Sequence, residues 1–337
     1  MRSVRVTGPD RVEWVEVDPP VAGPRDVLLA MRACGICGSD AFYTHVGGIP
    51  PRQGATPLGH EPAAEVVEVG SQVTGLQVGD HVVVDTMRLR DGLLGSGGAQ
   101  GALSEYVLVE DAAPGVQLRV IPEHIPWEVA ALNEPMAVAH HAVRRSGAAE
   151  GDTAAVFGAG PIGLGAVLSL KSLGVGHVVV ADVQPSRLEK ALAVGADAVV
   201  RSDEEDVVAR LRELHGEATD ALGHAGKAGT DVYLDAAGVP AVVQDALRAA
   251  KHRAVLCIPA VHKEPVPVDF AQVLAAEVDI RLAMGYPSEI FEVTDAIIEH
   301  WERYARIISH TLPFERALEA LTLAATPGAA DKVVVTF

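Results

Sequence analysis

The stretch from Val156 to Gly165 constrains this chain most, because it sets Gly158, Gly160 and Gly163 in the spacing G-x-G-x-x-G. A short apolar run with a polar entry, residues 152–157, precedes these glycines, as a buried parallel strand requires. Pro161 suits the first turn of a helix, where its missing N–H costs nothing. The stretch therefore predicts a strand, a tight glycine turn and a helix in direct succession.

Such a turn can hold a dinucleotide, since the first glycine permits the turn, the second lets the backbone approach a pyrophosphate, and the third lets helix and strand pack closely. Asp182 ends the next predicted strand, where its carboxylate can accept hydrogen bonds from the adenosine ribose and repel a 2′-phosphate. The pattern favours NAD over NADP. The simpler alternative is a structural turn followed by a solvated aspartate. The predicted binding residues are Gly158, Gly160, Pro161, Ile162, Gly163 and Asp182.

Length and composition indicate a globular protein of two domains. The chain has 337 residues, of which 49% are hydrophobic and 21% charged. Its formal net charge of −18 argues against a nucleic-acid or anionic-membrane partner, since both select basic surfaces. Three cysteines do not form a disulfide framework, which predicts a reducing compartment, the cytoplasm, or a metal site. The N-terminus lacks a signal-peptide pattern, and no stretch predicts a membrane span.

The pattern of apolar runs changes along the chain. Up to about Val120 we expect an all-β domain, with strands at 12–17, 27–32, 65–69, 81–84 and 103–109. From Thr153 to Met284 predicted strands alternate with helices at 186–193, 205–215 and 242–250, which indicates a doubly wound parallel sheet. The tail predicts two amphipathic helices, 290–304 and 314–323. A last strand, 332–337, is expected to return to the sheet of the first domain.

Three separated loops carry the side chains that can perform chemistry. Cys37 lies in a glycine-flanked loop, His60 follows Gly59 just before a strand, and Glu134 stands in Asn133-Glu134-Pro135 just before a helix. A thiolate, an imidazole and a carboxylate with a fourth position open are typical of a catalytic zinc site rather than a structural one. The ordinary alternatives are a buried cysteine and a surface histidine or glutamate. Cys34 and Cys257 are interpreted as buried packing residues.

The chain resembles the zinc-dependent medium-chain dehydrogenase/reductase family, the alcohol and polyol dehydrogenases, over essentially its whole length. The motifs that carry the resemblance are Gly35-Ile36-Cys37-Gly38-Ser39-Asp40, Gly59-His60-Glu61, Val66 to Gly70, Gly79-Asp80-His81-Val82, Glu134-Pro135 and Gly158 to Gly163. The resemblance implies a β-rich GroES-like catalytic domain, 1–136, a Rossmann domain, 137–284, and a C-terminal return to the catalytic domain, 285–337.

The resemblance also implies roles for single residues. Cys37, His60 and Glu134 are the implied zinc ligands, and Glu61 is a neighbour that can enter or leave the coordination shell. Asp40 is implied to orient the ligand imidazole, and the Ser39 hydroxyl to take the substrate proton. On the cofactor side, the implied contacts are Ala236, Gly238, Ile258 and Pro259, at strand ends, and Arg187 near the adenine. A solvated helix residue is the alternative for Arg187.

Three departures from the family pattern bear on the number of zinc ions, the branch of the family and the residue that relays the proton. Residues 87–98 lack the four cysteines of a structural zinc lobe, so we predict one zinc per chain. Glu134 as the third ligand resembles the polyol, butanediol and sugar dehydrogenase branch. The relay-histidine position holds Phe42, whereas Tyr43 resembles a substrate-pocket tyrosine of sorbitol dehydrogenases and His45 is an alternative relay.

The expected activity is reversible oxidation of a secondary alcohol, polyol or sugar-like, to a ketone with hydride transfer to NAD. The alternatives are a threonine-type amino-alcohol or a simple secondary alcohol as substrate. A metal-free quinone or enone reductase, or a non-enzymatic dinucleotide-binding protein, fits the ligand set less well. The family also implies a homodimer or homotetramer.

Overall fold

The computed structural model describes residues 1–49 and 54–337 and divides the chain into two compact units. The first unit comprises Met1–Glu134 and Ile290–Phe337, and the second comprises Pro135–Glu289. These boundaries lie at 134/135 and 289/290, whereas the sequence placed them at 136/137 and 284/285. None of the helices in the described ranges is both long enough and apolar enough to cross a bilayer.

The first unit is rich in antiparallel strands, as expected for a GroES-like domain. Its first strands and helices are β1 (Arg2–Gly8), β2 (Arg11–Glu16), β3 (Val27–Gly35), α1 (Gly38–Val46), β4 (Thr56–Pro57), β5 (Glu61–Val69), β6 (His81–Val84), β7 (Tyr106–Val109), β8 (Leu118–Val120), α2 (Trp127–Ala130) and α3 (Asn133–Ser146), which runs on into the second unit.

The second unit and the tail complete the chain. The second unit contains β9 (Thr153–Phe157), α4 (Pro161–Ser172), β10 (His177–Asp182), α5 (Pro185–Val194), β11 (Ala198–Arg201), α6 (Val207–His215), β12 (Glu217–Ala218), β13 (Lys227–Ala228), β14 (Val232–Asp235), α7 (Pro240–Ala249), β15 (Val255–Ile258), α8 (Phe270–Val273) and β16 (Asp279–Leu282). The tail contains α9 (Ile290–Ala305), β17 (His310–Pro313), α10 (Ala317–Ala325) and β18 (Val333–Thr336).

The described residues of the first unit form two sheets, in the orders β2-β1-β4 and β17-β18-β3-β5-β6-β8, with β7 also paired to β3. Buried and exposed residues alternate less along β3 than along a surface strand, because both faces of β3 are largely buried. The last strand, β18, pairs antiparallel with β3, Val335 facing Cys34. The tail thus adds strand β18 to the sheet that contains β3. Aliphatic side chains such as Leu29, Leu58 and Leu103 fill the core between the sheets.

The main sheet of the second unit has six strands in the order β11-β10-β9-β14-β15-β16, and every pairing in it is parallel. A separate two-stranded sheet, β12-β13, is antiparallel. The predicted doubly wound parallel sheet is confirmed. The strand order reverses between β9 and β14, the point at which open sheets of this kind bind ligands beyond the carboxyl ends of their strands. The glycine turn after β9 lies at that point.

Several predicted helix limits differ from the structure by one to three residues, and two of these differences have a clear physical cause. Glu134 was expected before a helix, but α3 begins at Asn133, so Glu134 and Pro135 lie in its first turn, where a carboxylate and a proline are both favourable. Helix α6 was expected from Glu205 and begins at Val207, because the Asp206 side chain accepts hydrogen bonds from the N–H groups of Val208 and Ala209 and so caps the helix.

Candidate active site

Cys37 is positioned by a helix cap. Strand β3 ends at Gly35, and Cys37 is the extended residue that precedes α1. The backbone N–H of Cys37 donates to Asp40 Oδ2 over 3.0 Å, so the aspartate closes the first turn of the helix back onto the cysteine. Asp40 is completely buried. The thiol therefore sits on a loop that the fully enclosed carboxylate holds in place.

His60 and Glu61 enter the site from the start of β5. Gly59 has φ = +90°, and a Cβ added there would lie 2.5 Å from the backbone nitrogen of Leu103, so only glycine allows this approach. His60 is buried, with Nε2 3.3 Å from Ser39 Oγ. Its other nitrogen, Nδ1, lies 3.6 Å from Asp40 Oδ1. The imidazole thus directs Nε2 to Ser39 and Nδ1 to a buried carboxylate.

Three potential ligand atoms converge at this point. Within the described residues, one donor atom each from Cys37, His60 and Glu61 lies within 4.8 Å of the other two. Sulfur, imidazole nitrogen and carboxylate oxygen form the donor set of catalytic zinc sites. His60 Nδ1 and Asp40 Oδ1 are both buried without a hydrogen-bond partner in the described structure, and a slight approach would pair them. That pairing leaves the Nε2 lone pair for a metal, so the residues present fit a zinc ion.

Glu134 interacts electrostatically with His60 and Glu61. Its carboxylate is not among the three donor groups, those of Cys37, His60 and Glu61, that lie within 4.8 Å of one another. Burial raises the pKa of Glu134 to about 7, with the negative charge of Glu61 adding to the rise and His60 opposing it. Burial also raises the pKa of Asp40. For His60, burial acts to lower the pKa, but Asp40 and Cys37 raise it well above its usual value. The anionic surroundings thus favour a cation.

Lys332, which the sequence reasoning missed, lies within this cluster. Its ammonium forms an ion pair with the Glu61 carboxylate, and its Nζ also donates to the carbonyl oxygen of Ile36 over 3.0 Å. The two side chains are 2% and 1% exposed. Burial acts to lower the pKa of Lys332, but Glu61 and Cys37 raise it overall. The available signal was a lysine that opens the final apolar strand, where a buried charge requires a partner.

Gly35 makes room for this ion pair. A Cβ added at Gly35 would lie 1.9 Å from Glu61 Oε2 and 3.1 Å from Lys332 Cε. In contrast, an added Cβ at Gly38, three residues further on, would meet no atom within 4 Å. A side chain is therefore excluded at Gly35 by the ion pair, whereas there is room for one at Gly38.

The residues after Cys37 differ in their surroundings. The hydroxyl of Tyr43 donates to Ser96 Oγ over 3.4 Å, and its ring centroid lies 6.5 Å from that of His60. Phe42 is 56% exposed, and the imidazole of His45, 76% exposed, pairs with Asp10 over 3.1 Å. Tyr43 thus lies beside the ligand cluster, whereas His45 is bound to Asp10 at the surface.

The glycine turn in the second unit has the geometry that its spacing requires. Gly158 has φ = +92°, and an added Cβ at Gly163 would lie 1.8 Å from the Gly158 carbonyl oxygen. Helix α4 begins at Pro161, directly after Gly160 and followed by Ile162. A Cβ at Gly160 would meet no atom within 4 Å, so Gly160 faces open space directly before the helix N-terminus, whose free N–H groups favour an anion. The turn therefore fits a pyrophosphate.

Asp182, at the end of β10, is hydrogen-bonded to the glycine turn itself. Its Oδ2 accepts the N–H of Ala159 over 2.7 Å, and its Oδ1 accepts the N–H of Gln184 over 2.8 Å. Each carboxylate oxygen can accept a further hydrogen bond, so these contacts leave capacity for ribose hydroxyls. Arg187 lies in the first turn of α5.

The other predicted cofactor contacts follow β14 and β15. An added Cβ at Gly158 would lie 3.1 Å from the backbone of Ala236, so the loop after β14 lies against the glycine turn. Gly238 has φ = +69° in that loop. Strand β15 ends at Ile258, and Pro259 begins the loop that follows it. The four residues thus lie at the edge of the sheet that open parallel sheets use for ligands.

Comparison with known proteins agrees with this combination of fold and site. Residues 23–118 match the alcohol dehydrogenase GroES-like domain, and residues 161–299 match the zinc-binding dehydrogenase domain. The chain is 33% identical to the (R,R)-butanediol dehydrogenase of Bacillus subtilis over 82% of its own length and 81% of that protein. It is 31% identical to the sorbitol dehydrogenase of Bos taurus over 94% and 91%.

A solved structure gives the same result. The crystal structure of 2R,3R-butanediol dehydrogenase from Bacillus subtilis superimposes with a TM-score of 0.86 at 28% identity, covering 100% of this chain and 99% of that one. Fold and site together define a zinc-type dehydrogenase with a nucleotide-binding domain. The chain belongs to the zinc-dependent medium-chain dehydrogenase/reductase family and is an alcohol oxidoreductase.

Proposed function

We propose that this enzyme oxidises a secondary alcohol of a vicinal diol or polyol to the ketone, with NAD as the hydride acceptor. The observation that carries the proposal is the convergence of Cys37, His60 and Glu61 in the described structure, with Glu134 in the same charged cluster. Two relatives are named for a diol and a polyol, butanediol and sorbitol, which supports this substrate class.

Cys37, His60 and Glu134 would hold the zinc ion. When bound, zinc lowers the pKa of an alcohol oxygen, as it does that of water. A slight approach of Asp40 would hold the proton of His60 at Nδ1 and so keep Nε2 available as a ligand. Glu61, which Lys332 engages in the described structure, would lie beside the bound zinc and could enter or leave its coordination shell. The chain thus supplies three ligands and leaves the fourth position for substrate.

Ser39 is the proposed acceptor of the substrate proton. Its hydroxyl lies 3.3 Å from His60 Nε2, at the metal side of the imidazole, and Ser39 is partly exposed, so a proton can pass from it towards solvent. Tyr43, whose hydroxyl is bonded to Ser96, is proposed to contact a substrate hydroxyl. The surface pairing of His45 with Asp10 argues against His45 as the relay.

NAD is preferred to NADP in this proposal because of Asp182. A carboxylate bonded to the glycine turn adds negative charge where NADP would place its 2′-phosphate, whereas ribose hydroxyls can donate to it. Gly158, Gly160, Pro161, Ile162 and Gly163 are proposed to hold the pyrophosphate. Ala236, Gly238, Ile258 and Pro259 are proposed to hold the nicotinamide half, and Arg187 to cover the adenine.

One zinc per chain is proposed, because other contacts hold residues 87–101. The Gln100 amide exchanges hydrogen bonds with the backbone of Leu108 over 2.8 and 2.9 Å and donates to Asp91 over 3.0 Å. Leu89 and Leu94 are buried beneath the segment. Hydrogen bonds and apolar burial thus stabilise this segment. In family members with a structural zinc, four cysteines that bind the ion hold the corresponding segment.

A second copy of the chain is the proposed protein partner, through the edge strand β16. Within the described chain, β16 pairs only with β15, which leaves one row of its backbone groups open. Ile280, Leu282 and Met284, at alternate positions, are 46%, 68% and 87% exposed. Pairing of two such edges covers both the backbone groups and the apolar side chains. The free cysteines support a reducing compartment, the cytoplasm, for this assembly.

The test is NADH formation across a panel of vicinal diols, polyols, threonine and simple secondary alcohols, with and without a chelator. We expect turnover with a diol or polyol, lost with the chelator and restored by zinc. Turnover confined to threonine or to simple alcohols would replace the substrate class, whereas chelator-resistant turnover would contradict the metal site. Metal analysis should find one zinc per chain and none bound by Cys37→Ser, with the matched Cys34→Ala variant as control.

A further inference from the structure

A pair formed by a buried carboxylate and a partly buried imidazole, at the cofactor edge of the second unit, has no role in the proposed function. His262 Nε2 lies 2.7 Å from Asp235 Oδ2, and the two side chains are 16% and 0% exposed. Asp235 is the last residue of β14, and His262 lies in the loop after β15. Both therefore lie at the edge of the sheet where a dinucleotide binds.

The pair joins two loops. Asp235 Oδ1 accepts the N–H groups of Ala237 and Gly238 over 3.0 and 2.8 Å, which fixes the loop after β14. Asp235 Oδ2 is left for His262, which lies in the other loop. A Cβ added at Gly238 would lie 2.8 Å from the Val261 carbonyl oxygen, so the two loops are in contact. Asp235 thus anchors the His262 imidazole as well as its own loop.

The bond to Asp235 also determines what the rest of the imidazole can do. A carboxylate at Nε2 keeps the proton on that nitrogen, and the neutral ring then presents a lone pair at Nδ1. Nδ1 is buried and has no hydrogen-bond partner in the described structure. A buried acceptor without a partner is unfavourable, and a donor supplied by a ligand would relieve this cost.

The strand order indicates which ligand group is near. The glycine turn follows β9, and Asp182 ends β10 on one side of it, so the adenosine half extends in that direction. Strands β14 and β15 lie on the other side, towards which the nicotinamide half extends. Ala236 lies against Gly158, and Val261 lies against Gly238. His262 is the residue after Val261, so it lies on the same side of the glycine turn as these contacts.

Resting on the proposed use of a dinucleotide, we propose that His262 Nδ1 accepts a hydrogen bond from a ribose hydroxyl in the nicotinamide half of the bound cofactor, with Asp235 positioning the ring. Loss of one neutral hydrogen bond weakens binding by about three- to tenfold. His262 would therefore contribute to dinucleotide affinity, and Asp235 would act through it.

Three variants separate this role from a purely structural one. The side-chain amide of His262→Gln can reach Asp235 from the place of Nε2 but has no acceptor at the position of Nδ1. His262→Ala loses both features. His252→Gln is the matched control, since His252 is more exposed and pairs with Glu277 elsewhere in the same unit. Thermal unfolding of each variant measures whether the loops remain tethered.

Binding is measured by titration of NADH fluorescence, and by displacement of NADH with ADP, which lacks the nicotinamide half. We expect His262→Gln to unfold like the wild type yet to bind NADH about three- to tenfold more weakly, with ADP affinity unchanged. NADH affinity at the wild-type level in His262→Gln, or an equal loss for ADP, would overturn the proposal. Wild-type protein that fails to bind NADH would instead contradict the proposed function itself.

Discussion

The ammonium of Lys332, from the last strand of the chain, forms an ion pair with the carboxylate of Glu61, and both side chains are almost completely buried beside the ligand cluster. The Glu61 carboxylate is itself one of the three potential ligand groups, together with Cys37 and His60. The lysine gives this carboxylate a fixed partner, so the C-terminal strand contributes to the electrostatics of the site as well as to the sheet.

Lys332→Met should destabilise the protein by about 3 kcal/mol, because it leaves the Glu61 charge buried without a partner. Urea unfolding measures this loss. Lys171→Met is the control, since its ion pair with Asp197 is about a quarter exposed and should contribute less than about 1 kcal/mol. Adding Glu61→Gln to Lys332→Met should recover part of the stability. Equal losses of unfolding free energy in the two lysine variants would show that the buried ion pair stabilises the protein no more than the partly exposed one.

Gly35→Ala should displace the Glu61 carboxylate, because the new methyl group would overlap Oε2. Overpacking of this kind costs about 1–3 kcal/mol, and the zinc content of the purified protein should fall with it. Gly38→Ala, where an added Cβ meets nothing, is the matched control and should unfold like the wild type. Full stability and zinc content in Gly35→Ala would contradict the close fit at this position.

Asp182→Asn should reduce the preference for NAD over NADP by about tenfold, or about 1.4 kcal/mol, because it removes the negative charge but keeps an oxygen for the N–H of Ala159 or Gln184. The ratio of kcat/KM for the two cofactors measures the change. Asp197→Asn, altered at a carboxylate that accepts the N–H of Val178, should leave the ratio unchanged. A ratio that is the same in both variants would remove the proposed role of Asp182.

Stability should fall as the pH drops from about 6.5 to about 4, in part because of His215. Burial, together with the neighbouring His177, lowers the pKa of His215 from 6.5 to about 4. The unfolded chain therefore binds a proton in this window that the folded chain does not, and folding loses about 2 kcal/mol across it. His215→Gln should flatten the stability profile in this window, whereas His252→Gln should not. Parallel profiles for wild type and His215→Gln would count against this origin.

Leu282→Glu should convert the proposed dimer to single chains, because it places a charge on the apolar edge strand. Light scattering after size exclusion should report the mass of one chain for this variant and of two or more for the wild type. Leu222→Glu, at another apolar residue of similar exposure, should keep the wild-type mass. A wild type that elutes as a single chain would contradict the proposed interface.

Local patterns were sufficient to predict several parts of the fold. The glycine spacing, the apolar run before it and the acid after it predicted β9, α4 and β10, because each depends on neighbours in the chain. The start of α6 was placed at Glu205, two residues early, because the acidic run before it does not by itself show which side chain caps the helix; the structure shows Asp206 as the cap. The predicted metal residues were Cys37, His60, Glu134 and Glu61, but the motifs could not show which of the two carboxylates lies closest to the thiol and the imidazole.

The sequence by itself determined the two kinds of sheet, the glycine turn and the types of side chain that can bind zinc and a dinucleotide. These follow from periodicity and short motifs, which act over a few residues. Only the tertiary structure decided that Lys332 meets Glu61 and that Asp235 meets His262. Both pairs join residues far apart in sequence, and a buried charge is stabilised by whichever partner the packing of strands brings to it.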